Sequence, residues 1–243
     1  MKIYGLIGQN IDYSFSRAYF SEKFEKHHIT AVYRNFDLSK IEQIEEVFKN
    51  TPDLSGLNVT IPYKEAVIPY LNRLDTEAEE IGAVNTIKIE KDGSLTGYNT
   101  DHYGFYEAIK AYLQPQHKKA LILGTGGASK AVAYALTNLG ITYRFVSRKD
   151  GHHKFSYEQL NADILKEYTV IINCTPLGTH PDTERYPDLP IGYISEAHLI
   201  FDLIYNPLET TLMKKARERG ATCLNGLNML KLQAEKAWEI WNS

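Results

Sequence analysis

Only two cysteines occur in the chain, Cys174 and Cys223, which leaves no disulfide framework and no metal-ligand spacing. Cys174 lies inside an apolar run and reads as a small buried thiol. Histidines number eight and include the pairs His27-His28 and His152-His153. Adjacent residues point apart on a helix or a strand, so no shared metal is expected. No apolar run approaches the ~20 residues of a bilayer-spanning helix, the segments Ala120 to Leu123 and Val170 to Ile172 being far shorter. The chain starts without a basic stretch followed by an apolar one, and the expected location is the cytoplasm. Its net charge of -3 supplies no electrostatic footprint for nucleic acid or an anionic membrane. Internal repeats and low-complexity tracts are also missing.

What is present is an ordinary globular composition, 43% hydrophobic and 23% charged over 243 residues, enough for one large domain or two small ones. Lys2 to Ile7 reads as a buried strand, and Arg17 to Glu25 as a helix with Phe20 and Phe24 on one face. Ser39-Lys40-Ile41-Glu42 has the form of a capping box ahead of Ile41, Ile44, Val47 and Phe48 at helical spacing. Leu57 to Ile61 is another expected strand, with a helix from Tyr63 onward. Thr86 to Glu90 and Ser94 to Tyr98 form an expected hairpin turned at Asp92-Gly93. A first α/β unit closes near residue 101.

From Ala120 the pattern tightens into strand, glycine-rich turn and helix, the helix running from Lys130 to Leu139 and ending at Gly140. Strands follow at Thr142 to Val146, Val170 to Asn173 and His198 to Asp202. Pro207 and Gly220 frame one further helix, and Leu227 to Trp241 another, with Leu230, Ala234, Trp238 and Trp241 along a face. The expected fold class is therefore α/β with mostly parallel sheets. In such sheets ligands sit beyond the C-terminal ends of the strands.

Gly124-Thr125-Gly126-Gly127-Ala128-Ser129 follows a strand and opens a helix, so backbone N–H groups and the helix dipole can face a pyrophosphate there. Ser129 replaces the third glycine of the usual fingerprint, and a glycine-rich turn by itself is as often only a tight turn. The next strand ends in Ser147-Arg148-Lys149, where an NAD-binding chain would carry an acid for the ribose 2′-hydroxyl. Arg148 can hold a 2′-phosphate through two parallel hydrogen bonds and Lys149 adds a point charge, which favours NADP.

Three polar segments end strands or hairpins: Asn58-Val59-Thr60-Ile61-Pro62-Tyr63-Lys64, Gly82-Ala83-Val84-Asn85-Thr86 and Gly97-Tyr98-Asn99-Thr100-Asp101. Singly, Lys64 reads as a solvated helix lysine and Asp101 as a helix N-cap. Jointly the three segments resemble the shikimate dehydrogenase family pattern N-V-T-x-P-x-K, G-A-V-N-T and N-T-D, in that order. The resemblance continues through the glycine-rich turn, Asn173-Cys174-Thr175-Pro176-Leu177-Gly178, Asp202-Leu203-Ile204-Tyr205 and Gly226-Leu227-Asn228-Met229-Leu230, with Gln233 one turn later. It spans essentially the whole chain.

The resemblance implies an N-terminal α/β substrate domain over 1–101, completed by a C-terminal helix at 227–243, and a Rossmann-like NADP-binding domain over 102–226. It implies NADP-dependent reduction of 3-dehydroshikimate to shikimate in aromatic amino-acid biosynthesis, a hydride reaching the ketone carbon while a proton reaches its oxygen. Lys64 and Asp101 would form the acid–base couple, because burial lowers a lysine pKa while a neighbouring carboxylate raises it and fixes its orientation. Which of the two transfers the proton stays open, with Lys64 preferred. Ser14 and Ser16 would hold the substrate carboxylate, their alternate spacing setting both hydroxyls on one side of an extended segment. Thr60, Asn85, Tyr205 and Gln233 would complete the substrate site. Gly124, Thr125, Gly126, Gly127, Ala128, Ser147, Arg148, Lys149, Leu203 and Gly226 would bind the cofactor.

The chain departs from the family in two places. Tyr13 and Arg17 stand where a histidine and a proline usually flank the serines. After Lys149 the segment Asp150 to Lys154 leaves room only for a loop where a full helix is common, which reduces the adenine side of the cofactor site. Three alternatives remain open: a quinate/shikimate dehydrogenase with looser substrate or NAD use, a sensor that binds shikimate-like ligands without turnover, and a Rossmann domain for another nucleotide-like ligand. The expected partners are small molecules alone, with monomer and homodimer both open.

Overall fold

The computed structural model describes residues 1–12 and 14–243, so Tyr13 lies outside the described residues. The chain divides into two compact units, residues 1–100 with 234–243, and residues 101–233. Among the described residues no helix is long and apolar enough to cross a membrane.

The first unit contains β1 (Lys2–Gly8), α1 (Phe15–Lys26), β2 (Ala31–Asp37), α2 (Ile44–Asn50), β3 (Leu54–Val59), β4 (Arg73–Leu74), α3 (Thr76–Ile81), β5 (Thr86–Ile89) and β6 (Leu95–Tyr98). Its six strands are ordered β2-β1-β3-β5-β6-β4. Strand β1 pairs in parallel with β2 and β3, and the β3-β5-β6 part is antiparallel. Alternation along β1 sends Ile3 and Ile7 to one face, against Ile44 and Val47 of α2 and Ala78 of α3. Tyr4 and Leu6 point to the other, among Phe20 and Phe24 of α1 and the C-terminal residues Ala234, Ala237 and Trp241. Trp241 is pinned there by donating Nε1–H to the Ile87 carbonyl at 3.0 Å. Glu235 binds the Tyr19 hydroxyl and the Lys23 ammonium.

The second unit contains α4 (Asp101–Ile109), β7 (Lys119–Leu123), α5 (Gly127–Asn138), β8 (Thr142–Ser147), β9 (Lys154–Ser156), α6 (Ala162–Glu167), β10 (Val170–Asn173), β11 (Leu199–Asp202), α7 (Thr211–Arg217) and β12 (Thr222–Asn225). The last helix, α8 (Leu227–Trp241), begins in this unit. All six strands run parallel in the order β12-β11-β10-β7-β8-β9. Numbered within this unit, that is the doubly wound order 3-2-1-4-5-6, which reverses direction between β7 and β10. Ala120, Ile122, Ile172 and Phe201 pack under α4 and α5, whereas Leu121, Leu123, Ile171 and Ile200 pack under α6 and α7. Burying both faces is what parallel strands require.

Several local expectations are corrected. The helix expected from Tyr63 is a series of turns leading to a short 3₁₀ turn at Ile68–Tyr70. Pro69 has no N–H and its ring would meet the carbonyl of residue 65, so an α-helix cannot run through it. The expected Ser39–Glu42 capping box is made instead by Gln43, whose Oε1 accepts from the Ser39 and Lys40 N–H groups. Ser16 is not on an extended segment, since α1 has begun by Phe15. Asp101 is the first residue of α4 rather than its cap. The helix framed by Pro207 and Gly220 starts only at Thr211, where the Thr210 hydroxyl caps it by accepting from Met213 N–H. The loop expected after Lys149 is present instead of a helix: residues 148–153 lead from β8 directly into β9, which pairs parallel with it.

Two buried histidines brace the second unit. His117 Nδ1 accepts the Gln114 N–H at 3.0 Å and faces the Ala197 carbonyl through Nε2, while His198 Nδ1 accepts the Ser195 N–H and its Nε2 lies 2.9 Å from the Leu165 oxygen. Burial holds both below the ordinary histidine value of 6.5. The unfolded chain therefore binds more protons just below pH 6.5, so the stability they provide is lost as pH falls through that value. NMR titration of the two imidazoles should give midpoints below 6.5, and midpoints above it would contradict this account.

Candidate functional site

The ends of β3, β5 and β6 meet at one asparagine. Asn85 is buried, with 3% of its surface exposed. Its Oδ1 accepts the Thr100 N–H at 2.7 Å and the Thr86 hydroxyl at 3.1 Å, and its Nδ2 donates to the Thr100 hydroxyl at 3.0 Å. Its backbone N–H donates to the Tyr98 carbonyl and its own carbonyl accepts the Val59 N–H. Asn58 Nδ2 reaches both the Asn85 carbonyl and the Thr86 hydroxyl, while Asn58 Oδ1 accepts the Tyr33 hydroxyl at 2.7 Å. Buried polar groups left unmatched cost about 1–3 kcal/mol each, so a network this deep fixes its members in place.

The network positions the predicted substrate residues of the first unit. Lys64, half-buried, is held by its carbonyl, which accepts the Val84 N–H at 2.7 Å, one residue before Asn85. Thr60 is tied by its N–H to the Ile7 carbonyl, and its own carbonyl accepts the Tyr63 N–H. The loop after β1 is braced by Asp37, which accepts the Asn10 and Ile11 N–H groups, and by Asn35 Nδ2 on the Ile11 carbonyl. That bracing leads the chain to Ser14, whose hydroxyl caps α1 by accepting the Arg17 N–H, and to buried Ser16. Ser14 thus serves as a helix cap, and the polar network that starts at Asn85 ends at Tyr33. Arg17, which stands outside the family pattern, donates to the Asp12 carbonyl.

The other predicted residues belong to the second unit. Asp101 is buried at the start of α4, and Gln233 is buried on α8 with Nε2 donating to the Leu230 carbonyl. Tyr205 is half-buried after β11, and burial raises its phenol pKa. At the point where the strand order reverses, Gly124 has φ +102°, a conformation other residues rarely adopt, and a Cβ there would crowd Thr175 and the Cys174 backbone. Thr125 and Gly126 are exposed. Gly126 occupies the cap position of α5, and no side chain caps the N–H groups of the first turn, which begins Gly127-Ala128. The Ser129 hydroxyl, buried where a third glycine would stand, donates to the Gly126 carbonyl at 2.6 Å. One strand over, the Ser147 hydroxyl donates to the Lys149 carbonyl, closing a turn that leaves Arg148 and Lys149 exposed. These parts suit a dinucleotide: amides for the pyrophosphate and cations for a 2′-phosphate. Leu203 and Gly226 meet directly, since a Cβ on Gly226 would lie 2.0 Å from the Leu203 oxygen.

A second buried network, centred on a residue the sequence reading left without a role, shapes these loops. Asp202 accepts Asn173 Nδ2 and Ile204 N–H on Oδ1 and the Thr210 hydroxyl on Oδ2 at 2.7 Å. Asn173 Oδ1 then accepts both the N–H and the hydroxyl of Thr175. The loops after β10 and β11 are therefore clamped through one carboxyl. The signal available in sequence was a lone acid ending an otherwise apolar strand. Asn58, Thr86 and Thr100 were likewise quoted within motifs without assigned roles. Burial raises the Cys174 thiol pKa, which leaves it unsuited as a nucleophile. No cluster of metal-ligating side chains occurs among the described residues.

Burial pushes the Asp202 carboxyl from its usual 3.8 up to about 6, against the lowering effect of its hydrogen bonds. The folded state thus binds the proton more tightly than the unfolded one, and stability falls as pH rises from about 4 to about 6. The cost above pH 6 is on the order of 3 kcal/mol. Denaturant midpoints of the wild type should fall relative to Asp202→Asn over this window, and parallel pH profiles would contradict the assignment.

Comparison with known proteins agrees with this geometry. The family described as "Shikimate dehydrogenase substrate binding domain" matches residues 6–87. The shikimate dehydrogenase (NADP(+)) of Methanosphaera stadtmanae is 37% identical over 98% of this chain and 90% of its own length. The solved shikimate 5-dehydrogenase of Thermus thermophilus, in complex with NADP(H) and shikimate, has a TM-score of 0.86 at 30% identity, covering 99% of this chain and 93% of that one. A quinate dehydrogenase from Corynebacterium glutamicum, in complex with NAD, has a TM-score of 0.87 at 26% identity, with coverage of 99% and 93%.

Proposed function

Since the chain belongs to the shikimate dehydrogenase family, we propose that it performs the family reaction with Lys64 and Asp101 as a coupled acid–base pair. The enzyme is an NADP-dependent oxidoreductase interconverting 3-dehydroshikimate and shikimate. The observation that carries the residue assignment is the Asn85 network, which ties the three motif segments together at the strand ends bearing Lys64 and Thr100.

Lys64 gives a proton to the oxygen of the ring ketone, or takes it back from the hydroxyl. Asp101, which follows Thr100 directly, orients the lysine and balances its charge. Ser14 and Ser16 hold the substrate carboxylate. Thr60, Asn85, Tyr205 and Gln233 align the ring hydroxyls. NADP, when bound, supplies or accepts the hydride. The amides of Gly124, Thr125, Gly126, Gly127 and Ala128 hold its pyrophosphate, Ser147, Arg148 and Lys149 its 2′-phosphate, and Leu203 and Gly226 complete the cofactor wall. Residues 1–101 with 227–243 serve as the substrate domain and 102–226 as the cofactor domain. We place the enzyme in the cytoplasm, as a monomer or homodimer acting on small molecules alone.

Absorbance at the nicotinamide band, followed with shikimate, quinate and 3-dehydroshikimate against both cofactors, separates the readings. Rapid turnover of shikimate with NADP+ and slow turnover of quinate with NAD+ are expected. Tight shikimate binding without turnover would make the protein a sensor instead. Lys64→Ala should lower kcat by about a hundredfold or more with an unchanged melting temperature, and an unchanged kcat would remove Lys64 from the mechanism.

A further inference from the structure

Gly104 is a glycine in the interior of α4, a position that costs about 1 kcal/mol relative to alanine unless something else demands it. Helix α8 makes the demand. A Cβ on Gly104 would lie 2.6 Å from the Met229 carbonyl oxygen and 3.1 Å from both the N and the Cβ of Gln233. The two helices touch backbone to backbone at this point. Asp101 lies three residues before Gly104, on the same face of α4. Phe105, the next residue, and Met229 share one apolar cluster, and the Phe105 ring packs edge-on against Phe201 of β11 at 5.0 Å. At its start α8 has a second fixed point, where Gly226 meets Leu203 and donates its N–H to the Ile204 carbonyl. The Gln233 carboxamide is oriented in turn by its bond to Leu230.

We propose that Gly104 is a positioning residue for substrate binding: by admitting the α8 backbone against α4 it sets where the Gln233 carboxamide stands relative to the helix that begins with Asp101. An added Cβ at 104 pushes α8 outward until its 2.6 Å approach to the Met229 oxygen is relieved, and carries the carboxamide with it. Steric displacement of this size acts on a polar contact whose geometry is strict. The inference rests on the assignment of Gln233 to the substrate, and the two are separable by experiment.

The test is a double-mutant cycle of Gly104→Ala and Gln233→Ala, read by steady-state kinetics with shikimate and by NADP+ titration. Gly104→Ala should raise the shikimate KM about tenfold, lower kcat by less than about threefold and leave NADP+ affinity within about twofold. In the Gln233→Ala background it should raise KM no further, because the group it displaces is gone. An equal rise in both backgrounds overturns the positioning role while leaving Gln233 in the site. A wild-type KM for Gln233→Ala removes Gln233 from the substrate site and the inference with it. Gly192→Ala, where an added Cβ meets nothing within 4 Å, serves as the control that leaves every constant unchanged. Should Gly104→Ala not fold, Gln233→Asn draws the carboxamide back by one methylene and must give the same split between KM and kcat. An unchanged KM there overturns the proposal.

Discussion

The ends of β3, β5 and β6 in the first unit are tied together by the hydrogen bonds of Asn85. Its carboxamide joins the end of β5 to the peptide that opens α4, and its backbone joins β3 to β6. Strands β1, β3, β5 and β6 are neighbours in one sheet, and the Asn85 bonds carry the β3-β5-β6 pairing one residue beyond its last paired positions, Asn58, Thr86 and Tyr98. Making these bonds through one residue brings the backbone segments of Lys64, Thr60 and Thr100 to the same end of the sheet. Asn58 and Thr86 extend the network towards Tyr33. The residues that satisfy this buried network include ones to which we propose a role at the substrate, so one set of hydrogen bonds would serve both ends.

The second unit solves the analogous problem with a carboxylate and with missing side chains. Asp202 clamps the loops after β10 and β11, glycines at 104 and 226 let backbones approach where a Cβ would collide, and Gly124 takes a φ of +102° that other residues rarely adopt. The amides of the first turn of α5 and the exposed Arg148 and Lys149 lie at neighbouring strand ends, where Leu123 pairs with Val146. Ionised Asp202 is destabilising at neutral pH, so the unit trades stability for fixed loops.

Much of this was legible in the sequence, for physical reasons. Strands and helices with strong periodicity, such as β1, the Asp92-Gly93 hairpin, β7 and α8, stand as expected because burial enforces their pattern. The helix expected from Tyr63 onward does not form, because Pro69 stands within it. Ser16 entered α1 rather than an extended stretch because Ser14 caps that helix, which starts two residues earlier than the apolar pattern indicates. Long-range polar contacts were not legible at all. Nothing local to Asp202, Thr210 or Thr86 marks them as partners, since their roles arise only when separate strands end side by side. Gly104 was invisible for the same reason, its neighbour being over a hundred residues away in sequence.

The central claim is that Lys64 and Asp101 act as one unit in proton transfer. Its most direct test is kcat measured for Lys64→Ala, Asp101→Asn and the double variant, with folding checked by thermal denaturation. If the two act together, the double variant loses about as much activity as the worse single one, within about threefold. Losses that multiply, with the double variant slowed by the product of the two single effects, would show two independent contributions and contradict the account.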